Sequence, residues 1–133
     1  MKARIRVQIP ERVLTFAIED EMRPRLTAVL EELGLEERPV TPDELGCKVG
    51  YLAGFYGYDG EARPYAPPAE ARGVLCMSGM SDSRMDALLT ALERQGVDLP
   101  LKAIVTAVNQ NWPFGQLIEE LIQERAALTG GKA

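Results

Sequence analysis

The apolar residues of this chain recur with two periods. Leu26, Val29, Leu30 and Leu33, then Met85, Leu88, Leu89 and Leu92, then Phe114, Leu117, Ile118 and Leu121 repeat at i, i+3, i+4, i+7. That spacing is the stripe of an amphipathic helix with one buried face. Two shorter apolar runs, over residues 13–18 and 74–77, predict strands buried on both faces. The first two helices should stop at Gly34 and Gly96, which can adopt the left-handed conformation that ends a helix. A second strand is expected in each half, at about Arg38 to Thr41 and at Lys102 to Val108, each followed by a further helix. Near the start, Lys2, Arg4 and Arg6 alternate with Ala3, Ile5 and Val7, which predicts a strand over 2–9, placed at an antiparallel edge of the sheet. The expected fold is α/β: two similar βαβα halves forming one mostly parallel sheet, with right-handed connections and helices covering it.

The halves match in residues as well as in pattern. Leu26–Leu35 aligns with Leu88–Val97 at an offset of 62, and Thr41 and Val49–Leu52 align with Thr106 and Phe114–Leu117 at an offset of 65. An internal duplication is one reading; the other is that any two βαβα units share helix-forming residues. A single domain over 1–133 is expected, with a first half to residue 54, a linker over 55–72, a second half over 73–128 and a frayed tail over 129–133. The linker is rich in Gly and Pro and carries Tyr56, Tyr58 and Tyr65, read as anchors to the domain surface in preference to a ligand site.

Composition narrows the function classes. With 46% hydrophobic and 26% charged residues over 133 positions, the chain is an ordinary globular domain that needs no disulfide or metal to fold. The net charge of −5 is spread over both halves and no basic cluster exists, which argues against nucleic acid. No run of 18 apolar residues occurs, so no membrane association is expected and the location is read as cytoplasmic. The chain has no histidine, and its two cysteines, Cys47 and Cys76, are widely spaced. No metal site, no cofactor and no His-containing catalytic set is expected.

Several motifs carry possible chemistry. Thr41-Pro42-Asp43-Glu44 reads as a capping box at a helix start, with Leu45, Val49 and Leu52 forming that helix's apolar face. Ser78-Gly79-Met80-Ser81-Asp82 joins a strand to a helix and could cradle an anion, but Ser81 or Asp82 as an N-cap explains it as well. Asp82 and Asp86 share a helix face, read as solvated, and Glu19, Asp20 and Glu21 are read as opening the first helix. The richest stretch runs from Leu101 to Gly115 and places Thr106, Asn109, Asn111 and the only tryptophan, Trp112, at one strand-to-helix junction. Ligands favour such junctions in open α/β sheets. The structural alternative is that Asn111 caps the helix, Pro113 opens it and Trp112 packs on the core.

Gly79-Met-Ser-Asp82, the helix to Gln95-Gly-Val97, Leu101-Lys-Ala103, Thr106, Asn109, Asn111-Trp112 and Leu117–Leu121 resemble the bacterial domain-of-unknown-function family numbered thirty-seven eighty-three. The resemblance covers about residues 74–125 and implies a small bacterial α/β protein, with no activity, cofactor or residue role to carry over.

Three functions are compatible with these residues. The first is a non-catalytic binding or regulatory module that recognises a protein partner or its own copy. The second is a small-molecule binder using Thr106, Asn109, Asn111 and Trp112, with Ser78, Ser81 and Lys102 nearby. The third is an enzyme working through carboxylates, Lys102 or a cysteine.

Overall fold

The computed structural model describes residues 10–130, with the side chains of 129 and 130 excepted. The strand expected over 2–9 and the end of the tail lie outside these residues. Four strands, β1 (Arg12–Phe16), β2 (Glu36–Pro39), β3 (Val74–Ser78) and β4 (Leu101–Ile104), form one sheet in the order β2-β1-β3-β4. The outer pairings β1·β2 and β3·β4 are parallel and the central β1·β3 pairing is antiparallel. Helices α1 (Arg23–Leu33) and α3 (Asp82–Arg94) cover one face of the sheet, and α2 (Val49–Leu52) and α4 (Phe114–Gly130) cover the other. The pleat divides the core accordingly. Leu14, Cys76 and Leu101 meet Leu45, Phe114 and Ile118, whereas Val13, Leu75 and Met77 meet Leu26, Val29, Leu88 and Leu92.

Local chemistry explains where the elements stop. Gly34 ends α1 at φ +66° and Gly96 follows α3 at φ +71°. In both places the next residue's N–H reaches back to a helix carbonyl, Leu35 to Leu30 at 2.9 Å and Val97 to Leu92 at 2.8 Å. Helix α1 begins later than its acidic start suggested: Glu19–Met22 form a turn, and Pro24 sits in the first helical turn, where its missing N–H costs nothing. The capping box at Thr41 is present, but it opens only a 3-10 turn over Pro42–Glu44, and Leu45, Val49 and Leu52 are buried from two short pieces and not from one helix. Strand β4 ends at Ile104, four residues before the expected Val108, and β2 lies two residues earlier than expected. Helix α4 continues to Gly130, past the start of the expected tail.

The two halves occupy matching places. Leu14 faces Cys76 at the centre of β1·β3, and these residues are 62 apart. Arg12 lies beside Glu36 in β1·β2, and Val74 beside Leu101 in β3·β4, so from the second strand onward matching residues are 65 apart. Asp98, Leu99 and Pro100 supply the three extra residues between Val97 and Leu101. A second crossing has the same relation: Lys48 faces Pro113, and the Val49 and Phe114 N–H groups donate to the Trp112 and Cys47 carbonyls, both at 2.9 Å. Because β1 and β3 are antiparallel, the carboxyl ends of β1 and β2 lie at one end of the sheet and those of β3 and β4 at the other. Any strand-end site is therefore confined to one half.

Candidate functional site

The junction after β4 is held by its own polar side chains. The Thr106 N–H donates to Asn109 Oδ1 at 2.8 Å, and the Asn109 N–H donates to Thr106 Oγ1 at 3.1 Å. Asn109 Nδ2 donates to the Ile104 carbonyl at 3.0 Å, and the residue is 8% exposed. This is a capping box whose amide also occupies the outward backbone groups at the end of β4. The matching pair in the first half is Thr41 and Glu44, where the Thr41 N–H donates to Glu44 Oε1 at 3.0 Å. There a bidentate Arg38, with both contacts at 2.8 Å, holds the Glu44 carboxyl below the usual range through its hydrogen bonds, against a smaller upward push from burial.

The other junction residues are separated from one another. Asn111 does not cap α4; its Oδ1 accepts from the Tyr58 hydroxyl at 2.6 Å, and the Pro113 carbonyl takes the first helical hydrogen bonds. Tyr65 anchors the linker in the same way on Glu119, at 2.7 Å, and burial together with that carboxylate pushes its phenol up to about 12. Both rings lie on glycine. A Cβ at Gly50 would stand 2.5 Å from Tyr58 and one at Gly115 would stand 2.4 Å from Tyr65, and these glycines hold matching positions. The linker thus docks on both halves by the same device, while Tyr56 is exposed.

Ser81 caps α3, accepting from the Arg84 N–H at 3.2 Å. Ser78 is buried beside Arg12 in the β1·β3 ladder, and Ser78 Oγ and Arg12 Nε have no hydrogen-bond partner among the described residues. The reactive groups that could serve an enzyme are also placed. Cys76 lies in the sheet centre, where burial pushes its thiol up to about 12, and burial raises the Cys47 thiol too. Lys102 Nζ donates to the Leu99 carbonyl at 2.6 Å, and Asp82 and Asp86 are exposed. Among the described residues, no three His, Cys, Asp or Glu side chains gather as a metal site would require.

What the structure does bring together is Lys102, Thr106, Asn109 and Trp112, along one groove of about 470 Å³ beside β4. Met77, Leu89 and Ile104 form its α3 side, and Trp112, Leu121 and Glu120 its α4 side. Ser78, Ser81 and Asn111 do not line it. Sequence reasoning missed Leu89, Ile104 and Val108. The periodicity assigned Leu89 to a core stripe and the other two to a strand, yet they are 36%, 47% and 66% exposed. The strand order, which makes β4 an edge, leaves Leu89 and Ile104 uncovered, and Val108 lies in the turn after β4 ends.

Residues 74–128 match the model of the family described as Domain of unknown function (DUF3783). No curated protein and no solved structure matches the chain. No helix among the described residues is long and apolar enough to cross a membrane.

Proposed function

We propose, taking residues 74–128 as a copy of this uncharacterised domain, that the protein is a non-catalytic binding module whose protein partner docks along the β4 side of the sheet. The observation that carries this reading is the exposure of Leu89 and Ile104 along the groove beside one edge strand. Apolar side chains grouped this way mark interaction surfaces on soluble domains. The small-molecule alternative keeps Trp112 and Lys102 on the groove but has lost Asn109, whose amide is committed to the Ile104 and Thr106 backbone. The duplication reading is supported by the matching registers of the two ladders and by the paired Tyr-on-Gly contacts. If the halves arose in this way, the second diverged into the binding half.

The test is affinity recovery of the tagged chain from its host, comparing the wild type with Ile104→Asp. Ile104 is exposed, so the variant should unfold at nearly the wild-type temperature. A protein recovered by the wild type and lost with Ile104→Asp is the expected result. Identical recovery by both chains would end this reading.

A further inference from the structure

Among the described residues, strand β4 is unpaired on its outer side over a short, defined stretch. The Leu101 and Val105 N–H groups point inward, donating to the Gly73 and Met77 carbonyls at 3.2 and 2.9 Å. The alternation of a strand therefore turns the peptide groups of Lys102 and Ile104 outward. Asn109 closes the far end of this row through the Ile104 carbonyl and the Thr106 N–H. The Lys102 N–H and carbonyl and the Ile104 N–H remain, and no described residue of the chain bonds them.

A chain pairing there would send alternate side chains to opposite sides of the edge. On the α3 side they would meet Leu89, Met77 and Ile104, an apolar surface beside Lys102, whose ammonium is turned onto the Leu99 carbonyl. On the α4 side they would meet Glu120 and Glu124, with the Trp112 ring alongside. The first set suits aliphatic side chains and the second suits cations, which an aromatic face also attracts. Pairing with a second copy of β4 would instead bring the Glu120 and Glu124 pairs of two chains of net charge −5 together.

We propose that the β4 edge accepts an extended peptide segment of alternating aliphatic and basic side chains, which adds as a fifth strand. This rests on the binding-module reading and names the chemistry of its partner. A suitable probe is a capped octapeptide, Lys-Ala-Arg-Ile-Arg-Val-Gln-Ile, which has the required alternation and reproduces residues 2–9 of the chain. Titrated into the full-length, 15N-labelled protein, it should move the amide resonances of Lys102 and Ile104 most. Glu120→Lys combined with Glu124→Lys should weaken it at least tenfold, and Ile104→Pro, which removes the outward donor, should abolish it. Rim residues that are partly or fully exposed should tolerate charge reversal, so this double variant keeps the test valid even if Ile104→Pro fails to fold. No binding, or binding that the double reversal leaves unchanged, overturns the inference. Should the peptide fail while Ile104→Asp still loses a host protein, the module stands and strand addition does not.

Discussion

The two outer strands run through matching backbone and end the sheet in opposite ways. At β2 the end of the outward row is closed: Pro39 has no N–H, its carbonyl accepts from Arg38 Nη1 at 2.8 Å, and Glu44 takes the Thr41 N–H, while no described residue bonds the Glu37 N–H or carbonyl. The Glu37 carboxylate places charge on this edge, held by Arg23 at 2.8 and 2.9 Å and by the Thr15 hydroxyl. At β4 the matching residues are Lys102 for Glu37, Ala103 for Arg38, Ile104 for Pro39 and Asn109 for Glu44. Proline and paired charges are what proteins use to keep an edge strand from pairing. An edge is closed by a few side chains and not by the fold, and β4 carries only the last of these stops.

The comparison can be tested by perturbing each side. The largest effect should come from Phe114→Ala, which empties a fully buried site under α4 and should cost about 3–5 kcal/mol in urea unfolding. Val49→Ala, at the matching place in the first half, should cost less because fewer buried atoms are removed. If Val49→Ala costs as much or more, the α4 side is not the better-packed support that its larger anchor implies.

Asn109→Ala should cost about 1–2 kcal/mol, since it leaves a cap unmade and frees the Ile104 carbonyl and Thr106 N–H. Asn109→Asp, which keeps the acceptor for Thr106 but not the donor to Ile104, should fall between the wild type and Asn109→Ala. Equal stability for all three chains would mean that the amide is not a structural stop.

A third effect appears with pH on the β2 side. The folded pKa of Glu44 is lowered, so its contribution is present above the unfolded value near 4.5 and is lost as pH falls through the folded pKa. Thermal unfolding of Glu44→Gln should therefore differ from the wild type at neutral pH and converge with it as the solution is acidified below about 4.5. A difference that persists unchanged at low pH would contradict the Arg38 pairing. The smallest effect should be Tyr58→Phe, which removes one exposed hydrogen bond to Asn111 and should cost at most about 1 kcal/mol while leaving the ring on Gly50.

Much of this architecture is legible in the residues because it follows from short-range chemistry. The stripes of α1, α3 and α4, the stops at Gly34 and Gly96, the Ser81 cap and the anchoring of Tyr58 and Tyr65 are all found where spacing and turn chemistry place them. The offsets of 62 and 65 reappear as the registers of the sheet. What spacing does not contain is the order of the strands. Leu89 satisfies a helical stripe as well as Leu88 does, and only the place of β4 at the edge exposes one and buries the other. For the same reason Thr106 and Asn109 read as a site from their types alone, although they are engaged with each other and with Ile104.

The most direct test of the open edge is amide hydrogen exchange of the free full-length protein, read residue by residue across β4. Alternation is expected: Leu101, Ala103 and Val105 protected by their inward hydrogen bonds, and Lys102 and Ile104 exchanging much faster between them. Protection of Lys102 and Ile104 equal to that of Ala103 would show that the outer side of β4 is already paired, and the open edge would not exist.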